Sequence, residues 1–225
     1  METQIYGTKE EQENAIHYYD KLSVIYDYIS NWYYKKARNY AIKELQLKNG
    51  QTVLNVPCGT GVNFKYFNEY LNNSGLIIGI DLSSGMLDKA RQKIEKNGWT
   101  NVKTELNNAT NIDQNWLDYR DNRIIIDSVF CDLGLSGLPE WRNIIDNMIS
   151  ILKPNGRIVI LDWYLEKPSL KGDFVKWIGK GEVDRPIYQY LETKVSNFKV
   201  DDSFNYGGVF VASGSKTRIN PIHCL

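Results

Sequence analysis

The chain predicts an α/β fold: a doubly wound, seven-stranded, mostly parallel sheet that ends in an antiparallel strand pair and begins with an N-terminal helical cap. Three observations carry this expectation. From residue 52 onward, short β-branched and aliphatic runs alternate with amphipathic stretches, which is the pattern of βαβ units. The first run ends in Gly59-Thr60-Gly61, where glycine lets the backbone approach a ligand closely. The second run ends in Asp81, 20 residues beyond Gly61. An acid at the tip of the second strand of a βαβ unit is placed to accept hydrogen bonds from the two hydroxyls of a ribose.

Each element follows from local pattern. Asn14–Leu47 carries apolar residues at helical spacing, interrupted at Ser30-Asn31, and reads as two helices. Asn49-Gly50 stops the second. Thr52–Val56 is a buried strand, followed by a helix over about Val62–Leu71 and a turn at Asn72–Gly75. Leu76–Ile80 is the second strand. Ser83-Ser84 caps a helix from about Gly85 to Lys96, which Asn97-Gly98 ends. Val102–Leu106 and Arg123–Phe130 are the third and fourth strands. Pro139-Glu140 opens a helix to Leu152, Lys153-Pro154-Asn155-Gly156 is a turn, and Arg157–Leu161 is the fifth strand. Val195–Val200 and Val209–Ala212 form the late antiparallel pair, joined through Asp201–Gly208. With no internal repeat, one structural domain is expected, divided into a cap or lid over residues 1–48, a core over 49–215 and a loose tail over 216–225.

Composition narrows the classes of function. Of 225 residues, 42% are hydrophobic and 24% charged, values ordinary for a globular chain. The net charge is zero, so no global field draws the protein to nucleic acid or an anionic membrane. No apolar run approaches the roughly 20 residues of a bilayer span, and the polar start Met1–Ile5 is unlike a secretory signal. Three scattered cysteines and two histidines near opposite ends make neither a disulfide framework nor a metal site. The expectation is a cytoplasmic protein without metal or nucleic acid, a monomer or homodimer, not inserted in a membrane though compatible with peripheral contact.

The glycine turn selects the cofactor. A dinucleotide site needs a third glycine where this chain has Phe64. A phosphate-binding Walker loop needs a Gly-Lys-Ser/Thr that is absent. Cys58-Gly-Thr-Gly61 after a hydrophobic strand, Asp81–Ala90, Asn108-Ala109 and Leu152–Gly156, in this order and spacing, resemble the class I S-adenosylmethionine-dependent methyltransferases, which have a Rossmann-like fold. The resemblance spans roughly Asn14 to Gly214. It implies that Pro57, Gly59 and Gly61 wrap the methionine half of S-adenosyl-L-methionine, with S-adenosyl-L-homocysteine as product. It further implies that Asp81 takes the ribose, that Leu82 and Met86 lie near the adenine, and that Asn108 and Ala109 meet its edge. Cys131 follows a strand whose carboxyl end faces the cofactor, so its backbone is expected to line the site. Asn55 and Asn108 depart from the family's usual acids. Tyr19-Asp20, Tyr26-Asp27, Phe130–Ser136 and Tyr206–Ala212 look like a narrower branch of phospholipid and small-amine N-methyltransferases.

Further candidates stand beside plainer readings. Tyr26 closes over the ligand or is a core aromatic of the cap. His17 is a base or an ordinary helical histidine. Asp132 and Asp162 follow strand ends, where each orients an amine, accepts a proton, or is a solvated loop acid. Cys131 has no histidine to activate it as a nucleophile. Leu165–Gly181 mixes lysines with aromatics and reads as a cover for substrate rather than a membrane-surface helix, because Gly172, Gly179 and Gly181 interrupt it. The expected activity is methyl transfer to a small molecule. An amine comes first, since 15 tyrosines and 6 tryptophans supply faces for a cation. A phenolic or quinone ring, a lipid headgroup, or a non-catalytic nucleoside-binding subunit are the alternatives.

Overall fold

The computed structural model describes residues 32–120, 124–166 and 182–217. A seven-stranded sheet runs through them, built from β1 (Thr52–Asn55), β2 (Leu76–Asp81), β3 (Val102–Leu106), β4 (Ile126–Asp132), β5 (Leu152–Trp163), β6 (Ser196–Ser203) and β7 (Val209–Ser215). Its order is β3-β2-β1-β4-β5-β7-β6. The first five are parallel, and β7 pairs antiparallel with both β5 and β6. The order reverses between β1 and β4, and in such sheets ligands bind where the strand ends diverge.

Side-chain alternation splits the core into two layers. Val53, Ile77, Phe130, Val159 and Leu161 face α1 (Lys35–Glu44), α2 (Phe64–Leu71) and α3 (Ser84–Asn97). Leu54, Ile78, Val129, Ile158 and Ile160 face α4 (Gln114–Arg120), α5 (Trp141–Ser150) and α6 (Ile187–Glu192). Burial on both faces is why these strands read as continuous apolar runs.

Several boundaries differ from the expectation, each for a local reason. The fourth strand begins at Ile126 and continues through Asp132. The turn expected at residues 153–156 is an irregularity inside β5. Leu152 already pairs with Ile126, and the register shifts before Ser128 meets Arg157, with Asn155 left-handed at φ 60. The final pair is longer than expected at both strands. Helices α4 and α6 were not expected. The first starts after Asp113, whose carboxylate accepts from the Trp116 amide at 3.0 Å, a turn-residue signal at a helix start. Helix α1 lies within the second of the two expected N-terminal helices and packs on β5 and β7 as part of the core layer. The first of those helices, and the expected cover over 165–181 beyond Glu166, lie outside the described residues, as does most of the tail. Lys216, the first tail residue, is tied down, its ammonium donating to the carbonyls of Ser150 and Leu152 at 2.6 and 2.7 Å.

The position expected for a third glycine has a packing explanation. A Cβ at Gly79 would lie 2.6 Å from the Phe64 ring, and one at Gly61 also 2.6 Å. Two glycines from different elements make the room that Phe64 fills, so helix α2 still docks closely on the sheet.

Candidate active site

The carboxyl ends of β1, β2, β3 and β4 open into one cleft, enclosing about 990 Å³ of empty space that is partly open to solvent. Loops leaving these ends are tied to neighbouring strands: Cys58 N–H donates to Ile80 O at 2.8 Å, Asn107 N–H to Asp81 O at 3.0 Å, and Leu133 N–H to Leu161 O at 2.8 Å. The cleft walls are therefore held by the sheet itself.

Asp81 organises one side. Its carboxylate accepts from the Gly59 N–H at 2.7 Å and from the Ser83 N–H at 2.9 Å. Ser83 caps α3 by accepting from Met86 N–H at 3.0 Å. One acid thus joins the glycine loop, the second strand and the third helix. A Cβ at Gly59 would meet nothing within 4 Å, so the loop leaves open space beside its backbone. Lys93 reaches back from α3 and donates to Thr60 O at 2.8 Å.

The other side holds a buried polar cluster drawn from three elements. Arg38 Nε of α1 donates to Asp132 Oδ2 at 2.8 Å. Asn63, just before α2, donates to the same oxygen at 3.0 Å and to Asn55 Oδ1 at 3.3 Å. Asn55 in turn donates to Pro57 O and Phe130 O, both at 3.2 Å. Among the described residues, Asp132 Oδ1 and Asn63 Oδ1 are buried without a hydrogen-bond partner. Arg38, Asn63 and Asp132 all line the cleft.

Of the residues singled out from sequence, Pro57, Gly59, Asp81, Leu82, Met86, Asn108, Ala109 and Asp132 line this cleft together. Gly61 and Cys131 do not. Gly61 is buried behind the loop against Phe64. Cys131 points into the opposite core layer and is fully buried. Burial, with Asp162 and Asp132 near, pushes its thiol well above the ordinary range, which leaves it protonated. Asp162 is also fully buried and outside the cleft lining. It accepts from the Ser136 N–H at 3.1 Å and from its neighbour's N–H, that of Trp163, at 2.8 Å. Desolvation raises its pKa, and the Ser136 and Trp163 hydrogen bonds oppose that rise. Tyr26 and His17 lie outside the described residues. Sequence reasoning missed Arg38 and Asn63. The available signal was a charge on an apolar stripe, since Ala37, Arg38, Ala41 and Ile42 are the buried residues of α1.

Beyond Asp132, the wall consists of Leu133, Gly134, Gly137 and Leu138. An aromatic group stands behind it. Trp163 Nε1 donates to the Tyr34 hydroxyl at 3.0 Å, and Tyr33 stacks on Trp163 at 6.2 Å. Burial pushes the Tyr34 phenol up, the Trp163 hydrogen bond opposing it. Among the described residues, no group of His, Cys, Asp or Glu could hold a metal ion, and no helix is long and apolar enough to cross a membrane.

Comparison with known proteins agrees with this geometry. Residues 47–203 match a family model described as a methyltransferase domain. The demethylmenaquinone methyltransferase of Shouchella clausii is 31% identical over 144 residues, covering 64% of this chain and 58% of that protein. The protein of the same name from a Geobacillus species is 30% identical over 173 residues, covering 75% of this chain and 69% of its own length. In fold, the chain resembles an N-methyltransferase of Haemonchus contortus solved with phosphomonomethylethanolamine and S-adenosylhomocysteine. The TM-score is 0.68 at 14% identity, over 88% of this chain and 58% of that one.

Proposed function

This chain belongs to the S-adenosylmethionine-dependent methyltransferases of class I fold, and from that premise we propose that it methylates an aromatic ring acceptor of the quinol kind. When bound, the cofactor's sulfonium supplies an already activated methyl group for in-line displacement.

The residues present fit that cofactor. Asn108 and Ala109 at the β3 end hold the adenine edge, Met86 and Leu82 flank it, and Asp81 at the β2 end accepts from the ribose hydroxyls. Pro57 and Gly59 follow the chain of the ligand past β1. Gly61 shapes this loop from behind. Cys131 carries no contact of its own, and the cleft wall is continued instead by Asp132 and Leu133. The protein's remaining work is to hold the acceptor carbon about 3–3.5 Å from the methyl group and in line with it and to exclude water, while the ring proton that the new carbon–carbon bond displaces passes to a base or to solvent.

The acceptor reading rests on one observation above the others: relatives at 30–31% identity carry the name demethylmenaquinone methyltransferase. The apolar wall of Leu133, Gly134 and Leu138 supports it, because a flat ring needs a dry slot rather than charges. One oxygen of Asp132 is already paired with Arg38, so the carboxylate does not stand as an unbalanced charge calling for an amine acceptor. An amine is the second reading, favoured by the Tyr33, Tyr34 and Trp163 cluster next to Asp132 and Asp162.

The test is transfer of a labelled methyl group from S-adenosylmethionine to a demethylated naphthoquinol and, separately, to ethanolamine and phosphoethanolamine. Label in the quinol alone supports the first reading. Label in an amine alone replaces it with the second.

A further inference from the structure

We propose that Leu133 is the side chain against which the acceptor ring lies, and that a strained backbone conformation is kept there in order to present it. The inference rests on the ring-acceptor reading above and names the residue that enforces it.

Backbone geometry singles Leu133 out. Among the described residues, eight other than glycine have a positive φ, and five of these are asparagine, which tolerates it. Leu133, at φ 57, is the one aliphatic residue of the eight, and the one that lines the cleft. The left-handed region is unfavourable for a bulky side chain, and glycine would occupy it without strain. Yet the glycine stands one position later. Gly134 has φ -119, and a Cβ on it would lie 2.4 Å from the Pro57 ring. That glycine serves a close approach, and the left-handed position keeps a leucine. Strain that a glycine would remove, retained at the wall of a cleft, points to a task for the side chain.

The surroundings show how the strain is held. As the chain leaves β4, the Leu133 N–H still donates to Leu161 O of β5 at 2.8 Å. Leu133 is half-buried and packs against the core layer that contains Phe130, Leu161 and Trp163. It therefore joins a fixed layer to the open space of the cleft. Position along the strand ends says which ligand meets it. Asn108 follows β3, Asp81 ends β2 and the glycine loop follows β1, and the cofactor reading lays the nucleoside and its chain along these. Leu133 follows β4, beyond that path and next to β5. A ring that is to face the methyl group lies there. An aliphatic side chain backed by a packed layer gives one face of a ring a dry and rigid support.

The experiment separates contact with the acceptor from packing and from cofactor binding. Leu133→Gly relieves the backbone and removes the support. Leu133→Asn tolerates the same φ and makes the support polar. Steady-state kinetics with the demethylated naphthoquinol, calorimetry with S-adenosylhomocysteine and the melting temperature of the unliganded protein are measured for each. In both variants, kcat/KM for the quinol should fall at least about tenfold, mainly through KM. Affinity for S-adenosylhomocysteine should stay within about twofold. Relief of strain and loss of packing oppose one another in Leu133→Gly, so its melting temperature should stay within about 3 °C of wild type. Leu133→Met, apolar and of similar volume, should recover most of the lost kcat/KM. If Leu133→Gly does not fold, Leu133→Asn carries the test. Unchanged kcat/KM overturns the assignment, and if stability alone drops, the leucine is a packing residue. A parallel loss of S-adenosylhomocysteine affinity also overturns it and gives Leu133 to the cofactor. If wild type methylates an amine and not the quinol, the ring reading itself fails, and this assignment falls with it.

Discussion

Asp81 holds the glycine loop and the start of α3 with the same carboxylate that we propose accepts from a ribose. A carboxylate has about four acceptor sites, so the two tasks are compatible. Asp81→Ala should lower the affinity for S-adenosylhomocysteine about ten- to a hundredfold by calorimetry, and unchanged affinity would remove the nucleoside from the β2 end. The two described cysteines lead to a different expectation. Cys58 and Cys131 are free and buried, and desolvation raises both thiols well above the ordinary range. A raised thiol pKa means the neutral form at neutral pH, and the neutral form is a poor nucleophile. Alkylation followed by peptide mass spectrometry should therefore leave both unmodified in the native state and modify both after unfolding. Cys131→Ser should keep most of the turnover. Rapid native alkylation of Cys131 with loss of activity would contradict its placement in the core. At this scale, the sequence made legible those residues whose type declares a chemistry at a strand end: Gly59, Asp81, Asn108 and Asp132. Arg38 and Asn63 were not legible as site residues, because the partner Asp132 stands 94 and 69 positions away in the chain, and only the fold brings them together.

The turn Leu135–Gly137 leads into the wall that we propose as the acceptor side of the cleft, and it is gripped from both sides. Asp162, at the end of β5, accepts from Ser136 N–H. Arg185 donates to the carbonyls of Leu135, at 2.9 Å, and of Leu138, and Glu182 N–H donates to Ser136 O at 2.8 Å. Asp162 is buried behind the wall and outside the cleft lining, a placement that its position after a strand did not distinguish from that of a base. Arg185→Met removes two charge-assisted hydrogen bonds from the turn. It should raise the KM for the acceptor by about five- to tenfold, leave affinity for S-adenosylhomocysteine within about twofold, and cost roughly 1–3 kcal/mol of stability. Steady-state kinetics with calorimetry separate these effects, and a matching loss of cofactor affinity would assign the turn to the cofactor instead. Elements were legible where pattern and packing agree. The buried parallel strands and α3, with its Ser83 cap and left-handed Gly98, follow directly from their residues. Helices α4 and α6 were not, because runs of 7 and 6 residues carry too little periodicity to register. The extra length of β5 was hidden because Pro154-Asn155-Gly156 reads as a turn and is instead absorbed as an irregularity between paired ends.

In the whole molecule, the sheet is a rigid platform and the cleft is an assembly of loops from four separate strand ends. The strands are buried on both faces, so their ladders are held by two core layers. The loops are held by hydrogen bonds to neighbouring strands and turns and by two polar clusters, one around Asp81 and one around Asp132. A ligand that spans from Asn108 to Asp132 would touch every one of these loops at once and would bind the folded state only. Its stabilisation then follows from mass action. At a ligand concentration 100 times Kd, the gain is about 2.7 kcal/mol. For a chain of 225 residues, each kcal/mol moves the Tm by about 2–4 °C. S-adenosylhomocysteine at that concentration should therefore raise the melting temperature of wild type by about 5–10 °C. Asp81→Ala at the same absolute concentration, with affinity lowered ten- to a hundredfold, should retain between about half and a sixth of that shift. Differential scanning calorimetry across a ligand series checks both numbers. Equal shifts in the two proteins would mean that the ligand is held without the β2 end, and the path of the cofactor across β3, β2, β1 and β4 would have to be redrawn.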